Sequence, residues 1–156
     1  MRTISFGILN PPPRAIVTLA FIFLLSSAVQ AHLLWASYSE CVAILGEPES
    51  RETSNVPPAT DAYAFRKSGW GMLIHFWDGR AHCITCSKLD GSELTAAEIE
   101  TNLNAFGDGK SWAKDAQHPD EIWRSDQKVM ASVYGNGFSI FSAEFFTVAV
   151  LRGAFH

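Results

Sequence analysis

The chain has 156 residues, of which 47% are hydrophobic and 18% are charged, a composition that excludes a disordered or low-complexity protein. Twelve basic against sixteen acidic residues give a net charge of −4, which argues against a basic groove for nucleic acid. Three cysteines are too few for a disulfide-framed miniprotein and lack the paired spacing of a structural zinc module.

Residues 1–31 have the order of regions typical of a signal peptide. Two arginines supply positive charge, and an uncharged apolar run follows at 15–25, too short to span a bilayer. Val29 and Ala31 place small residues at the −3 and −1 positions, so we predict cleavage after Ala31 and export to the periplasm or the medium. The alternative is that the largely apolar segment 15–36 is retained as a membrane anchor.

Cleavage after Ala31 leaves a single domain at 32–156. Because the leader contains two arginines and no acidic residue, this domain has ten basic against sixteen acidic residues and a net charge of −6. Its length is sufficient to bury one core of ordinary size.

A short helix and a hairpin are predicted in the first half of this domain. Apolar spacing predicts the helix at 37–45, capped by Ser37 or Ser39 and followed by a proline-containing loop at 47–61. From Ala62 the apolar period is two, which predicts strands, and Asp78-Gly79 is typical of a type I′ hairpin turn. Three strands are expected here. Beyond the turn, Ala81, Cys83 and Thr85 are predicted on the same face as Ile74 and Phe76.

The second half is predicted to resemble the first. A capping box at Thr95–Glu98 begins a helix that ends near residue 106, and a polar loop at 110–119 follows. Strands are predicted at 121–124, 128–134 and 138–145. The apolar tail at 147–156 is predicted either to extend the last strand or to fray.

Runs of strands beside separate helices indicate the α+β class. We predict one antiparallel β-sheet with two helices packed on one face. The halves 37–88 and 92–146 share the order helix, polar loop, antiparallel strands, so a tandem helix and β-meander repeat is possible.

Two sequence runs in the first half carry a resemblance to known envelope proteins. They are the helix end Cys41-Val42-Ala43-Ile44-Leu45-Gly46-Glu47-Pro48 and, after Tyr63-Ala64-Phe65, the hairpin Leu73-Ile74-His75-Phe76-Trp77-Asp78-Gly79-Arg80-Ala81. This stretch resembles the SmpA/OmlA-type small proteins of the outer-membrane β-barrel assembly machinery, and the build is similar to β-lactamase-inhibitor-protein-like modules. The resemblance implies helices packed on an antiparallel sheet, sometimes in tandem, and no catalysis. The lipidated cysteine of the assembly-machinery members is absent here.

His75 and His82 are the candidate metal ligands. With a two-residue turn at Asp78-Gly79, the strand pairs run 77–80, 76–81 and 75–82, which places both imidazoles opposite each other on one face. No third ligand is evident, since Cys86 lies on the same face but roughly 13 Å along the strand. The alternative to a metal or enzymatic site is a half-exposed polar pair.

Two interpretations of the cysteines remain open. Cys83 and Cys86 form a CxxC on a predicted strand, where positions i and i+3 face opposite sides, so redox function is not favoured. A structural disulfide between Cys41 on the first helix and Cys83 on the core face of the sheet is possible, and it would leave Cys86 free.

Other catalytic signatures are missing from the sequence. No phosphate-binding glycine loop, Gly-x-Ser-x-Gly elbow or HExxH motif occurs, so we assign no catalytic residue and no cofactor. Aromatic residues are abundant, and exposed aromatic patches favour protein contacts. We therefore predict a non-catalytic module that binds another envelope or secreted protein. The predicted surface consists of Tyr63, Trp70, Trp77, His75 and His82.

Overall fold

The computed structural model describes residues 33–118 and 120–154, and the predicted signal peptide lies outside them. Within these residues the chain forms three helices and one eight-stranded antiparallel sheet, which confirms the α+β class. No helix in this part of the chain is long and apolar enough to cross a bilayer.

Each half of the described chain consists of one helix followed by four strands. The first half contains α1 (Tyr38–Leu45), β1 (Ser50–Thr53), β2 (Asp61–Lys67), β3 (Trp70–Trp77) and β4 (Arg80–Lys88). The second half contains α2 (Ala96–Gly107), β5 (Trp112–Lys114), β6 (Glu121–Arg124), β7 (Val129–Tyr134) and β8 (Gly137–Ser142), and α3 (Ala143–Leu151) follows it.

The eight strands lie in the order β1-β2-β3-β4-β8-β7-β6-β5. Each half therefore contributes a four-stranded meander, and the last strands of the two meanders pair at the centre of the sheet, where Ile84 lies opposite Ile140. The free edges are β1 and β5. Both edge strands occur in segments that the sequence predicted as loops.

The two predicted helix starts are confirmed by their caps. At α1 the Ser37 hydroxyl accepts the Glu40 N–H, and the Glu40 carboxylate accepts the Ser37 N–H at 2.7 Å. Thr95 and Glu98 form the same reciprocal pair at α2. Each capping box satisfies N–H groups that have no partner within the helix, and so fixes where the helix begins.

Apolar residues cover both faces of the sheet. The first cluster includes Ile74 and Ile84 and contains side chains of α1 and α2. The second cluster includes Cys83, which neighbours Ile84 on β4 and therefore faces the opposite side, and it contains Phe145 and Ala149 of α3. The sequence predicted helices on one face only, and α3 supplies cover for the other.

The end of the last strand differs from the sequence prediction. The predicted strand at 138–145 stops at Ser142, whose hydroxyl accepts the Phe145 N–H and caps α3. Within the predicted tail, residues 147–151 therefore belong to a helix and extend no strand.

The segment at 33–36 is part of the first cluster. Leu33 is fully buried, and the Trp35 N–H donates to the Ala81 carbonyl at 2.7 Å. The Ala81 N–H donates in turn to the Ala36 carbonyl at 2.8 Å. These bonds attach the start of the described chain to β4.

Candidate binding site

A β-bulge changes the predicted register of the β3–β4 hairpin. The turn at Asp78-Gly79 forms with positive φ at both residues, and the first two strand pairs match the prediction. His75 then pairs with Cys83, so His82 is the extra residue of a bulge. The predicted pairing of His75 with His82 is wrong for this reason.

Because of the bulge, the residues that follow it on β4 lie on the opposite face of the sheet from the one predicted. Ala81, before the bulge, lies in the first cluster together with Phe76, as predicted. Cys83, after it, lies in the second cluster, and Ile84 lies on the face that was predicted for Cys83 and Thr85. A single inserted residue has this effect because side chains alternate with a period of two.

The two histidines are buried and have separate hydroxyl partners. Nδ1 of His75 lies 2.8 Å from Oγ of Ser54, and Nδ1 of His82 lies 2.8 Å from Oγ of Ser142. Their exposed fractions are 3% and 7%. Among the described residues, no group of three His, Cys, Asp or Glu side chains could hold a metal ion.

We expect the stability of the fold to decrease as these histidines gain protons. Burial lowers the pKa of both His75 and His82 below 6.5. The negative charge of Glu52 opposes this shift only in part at His75, and the charges of Glu144 and Asp78 oppose it only in part at His82. As pH falls below 6.5 the unfolded chain therefore binds protons before the native chain does. The stability contributed by the neutral histidines is fully present above pH 6.5 and is lost as the pH falls toward their lower native pKa values. Urea unfolding at several pH values between about 7.5 and 5.5 will measure this loss.

A matched control for this pH effect is an exposed residue that does not titrate. Leu151 is 81% exposed, so Leu151→Ala should leave the slope of stability against pH unchanged. His82→Asn, which keeps a polar atom near the Nδ1 position, should reduce the slope. Equal slopes in the wild type and the double variant of His75 and His82 would contradict the prediction.

The three cysteines are free, and the possible Cys41–Cys83 disulfide is not formed. Cys41 belongs to the first cluster and Cys83 to the second, so the sheet lies between them. Cys86 faces the first cluster, opposite to Cys83. Burial raises the pKa of Cys83 and Cys86 to about 12, which disfavours the thiolate that disulfide exchange requires.

The predicted binding surface is not continuous. Tyr63 and Trp70 are half-buried against the first cluster, whereas Trp77 packs against the second, with its ring 5.2 Å from that of His82. His75 is buried on the same side as Trp77. The five residues therefore lie on both sides of the sheet, and most of their surface area is buried in packing.

An apolar groove lies instead between α2 and the edge strand β5. It has a volume of about 500 Å³. Its apolar lining comes from Ile99 and Leu103 of α2, Trp112 of β5 and Ile122 of β6. Lys114 of β5 also lines the groove. We call this site the β5 groove.

The packing of Trp112 into this site depends on a glycine. The indole nitrogen of Trp112 is buried and has no hydrogen-bond partner among the described residues. It lies 3.0 Å from the position that a β-carbon on Gly107 would occupy, so glycine at the end of α2 provides the space for the ring. A larger residue at 107 would displace the indole and change the wall of the groove.

The backbone beside the groove is an open strand edge. The Asp115 N–H donates to the Glu121 carbonyl, and the Ser125 N–H donates to the Ser111 carbonyl. In an antiparallel ladder the direction alternates, so the residues next to a hydrogen-bonded pair direct their N–H and C=O groups away from the partner strand. Trp112 and Lys114 therefore direct theirs outward, on the strand that also lines the β5 groove.

The sequence contained two signals for this site that the strand patterns did not capture. Ile99 and Leu103 are four residues apart on α2, so both lie on the same side of the helix. Trp112 stood within a segment predicted as a polar loop. An apolar aromatic residue in such a loop, close to the end of an amphipathic helix, is consistent with a short strand packed against that helix.

Comparisons with known proteins identify no family for this chain. No family model matches it, and the search of curated proteins found no match. A crystal structure of a cysteine-rich secretory protein from Staphylococcus aureus subsp. aureus Mu50 aligns with 73% of this chain at 8% identity and a TM-score of 0.44. The aligned part is 46% of that protein, so this chain spans less than half of its length.

Proposed function

We propose that this chain is an exported, non-catalytic module that binds an extended segment of another envelope or secreted protein in the β5 groove. The N-terminal sequence supports export, because charge, an apolar run and small residues at the cleavage positions occur in the order of a signal peptide. The observation that carries the binding proposal is the coincidence of an open strand edge and an apolar groove on one strand.

The chemistry of the site favours one kind of occupant. A segment that pairs with β5 would form main-chain hydrogen bonds to Trp112 and Lys114, and alternate side chains of that segment would point toward α2. Because Ile99 and Leu103 line that side, the segment needs apolar residues at alternate positions. Main-chain pairing then supplies affinity, and the groove supplies specificity.

A second copy of the chain is a poorer occupant than a foreign segment. In a symmetric pairing of β5 with β5, the incoming side chains would be Trp112 and Lys114. Both already line the groove of their own copy. Self-association would therefore leave the space beside Ile99 and Leu103 without a new apolar side chain.

A peptide titration followed by nuclear magnetic resonance tests this proposal. The probe is an eight-residue peptide that alternates valine or isoleucine with threonine, compared with the same peptide N-methylated at alternate amides. We expect shifts at Trp112, Lys114 and Leu103 with the first peptide and none with the second. Equal shifts with both peptides, shifts elsewhere on the sheet, or a dimer that occupies β5 would overturn the proposal.

Two proline variants provide a matched pair for the same titration. Lys114→Pro removes an outward N–H from β5 while the ladder with β6 is retained, so binding should be lost without unfolding. Thr53→Pro makes the equivalent change on β1, the opposite edge, since the neighbouring Ser54 N–H donates inward to Thr60. Binding that survives Lys114→Pro, or that is lost equally with Thr53→Pro, would contradict the assignment to β5.

A further inference from the structure

Trp35 is held in an unusual backbone conformation at the protein surface. Its φ of 68° is left-handed, a conformation that is strained for a bulky residue. The residue is 37% exposed, and the Arg124 guanidinium lies over its ring at 5.9 Å from the centroid. The Arg80 side chain donates a hydrogen bond to the Trp35 carbonyl at 3.1 Å. Strain of this kind persists where the surrounding structure enforces it, and it is concentrated at functional sites.

Two clefts adjoin this tryptophan. One has a volume of about 470 Å³ and extends toward α1, and the other has about 610 Å³ and extends toward the start of α3. Trp35, Asp108 and Arg124 line both of them. Each volume is within the range of about 300–1,000 Å³ that is typical of small-ligand sites. We call this pair the Trp35 clefts.

The charges around the Trp35 clefts are balanced. In the larger cleft the ionisable side chains are Asp108, Asp126 and Glu144 against Lys110, Arg124 and Lys128. Arg124 donates to both oxygens of Asp126 at 2.9 Å, and Lys110 lies 3.1 Å from Asp108. A site with paired charges offers many hydrogen-bonding groups and no net attraction for an anion or a cation.

We propose that the Trp35 clefts bind a neutral oligosaccharide. The C–H face of a pyranose ring stacks on the exposed part of an indole, and its hydroxyl groups bond to carboxylate, ammonium and amide groups of the kinds found at Asp108, Lys128 and Gln127. Two adjoining clefts that share one indole fit a chain of at least two rings. None of the residues that line the β5 groove lines these clefts, so the site is separate from the peptide site.

The test is a titration of the purified protein with the tetramers of N-acetylglucosamine and of glucose, monitored at the indole N–H signals. The signal of Trp35 is the one that is missing in Trp35→Phe. We expect it to move with at least one neutral tetramer and to move less with the tetramer of galacturonic acid, which has similar rings and carries charge. No movement with either neutral tetramer up to about 10 mM, or stronger binding of the charged one, would overturn the proposal.

Variants of the site separate binding from folding. Trp35→Ala should weaken binding by about tenfold or more, whereas Tyr134→Ala, at an exposed aromatic residue elsewhere, should leave it unchanged. Gln127 has a φ of 57°, so Gln127→Gly removes the amide at a backbone position that glycine adopts easily. This variant is expected to fold and to bind more weakly even if Trp35→Ala does not fold. Unchanged affinity in both Gln127→Gly and a folded Trp35 variant would contradict the proposal.

Discussion

Replacement of Phe145 by alanine is expected to reduce the free energy of unfolding by about 3–5 kcal/mol. Phe145 is fully buried, and its ring packs against those of Trp77 and His82 at 6.3 and 6.2 Å. The loss combines the transfer of a large apolar side chain with a cavity between α3 and the sheet. Urea unfolding at pH 7.5, analysed by linear extrapolation, will measure the change.

The control for this prediction is an exposed residue on the same helix. Leu151 is 81% exposed, so Leu151→Ala should alter the free energy of unfolding by no more than about 0.5 kcal/mol. Both variants shorten an apolar side chain of α3, but only one of them opens the second cluster. A small effect of Phe145→Ala would mean that α3 does not cover this face of the sheet.

Replacement of Arg124 by methionine is expected to reduce the free energy of unfolding by about 3 kcal/mol. The Arg124 side chain is 6% exposed, donates to both oxygens of Asp126 and also donates to the Phe106 carbonyl at 3.2 Å. Without it, the Asp126 carboxylate and that carbonyl lose their buried donor. The expected loss of stability is at the lower end of the range for a broken buried ion pair, because Lys110 remains 3.9 Å from Asp126. Urea unfolding measures this loss as well.

An exposed pair of the same residue types is the matched comparison. Arg51 donates to Asp61 through Nε and Nη2, but the two side chains are 66% and 36% exposed. Arg51→Met should therefore change the urea midpoint much less than Arg124→Met, since solvent screens the exposed pair. Similar losses in the two variants would show that burial does not determine the strength of the Arg124 pair.

Local signals in the sequence were sufficient to predict the helix starts and the central hairpin. Ser37, Thr95 and Asp78-Gly79 act within a few residues, through caps and positive φ, so their effects do not depend on the rest of the fold. The alternation along β3 gave the antiparallel pairing for the same reason. These elements together account for the α+β class.

The bulge at His82 could not be predicted from the same signals. The sequence has apolar and aromatic residues on both faces of β3 and β4, so either register of the two strands would bury apolar side chains on both faces of the sheet. The bulge allows His82 to reach Ser142 while Cys83 takes the place opposite His75. This choice depends on β8 and α3, more than 50 residues away, and it determines where both histidines and two cysteines lie.

The edge strands were missed for a different physical reason. All four residues of β1 are exposed, and β5 has only three residues, so neither shows the apolar alternation that identifies a strand. The peptide-binding site that we propose depends on β5, and the sequence interpretation placed its binding surface on the longer strands. The C-terminal helix was missed because apolar residues such as Val148 and Val150 also suit a buried strand, so the tail was predicted to extend the last strand or to fray.

The burial of Leu33 has a consequence for the order of events in maturation. A peptidase that cuts after Ala31 must hold the residues around the cut in its own active site. Leu33 lies two residues beyond that position, and in the folded domain it is fully buried, while Trp35 and Ala36 are bonded to β4. If the leader is cleaved after Ala31 as we propose, its removal would therefore precede the docking of residues 33–36 against β4.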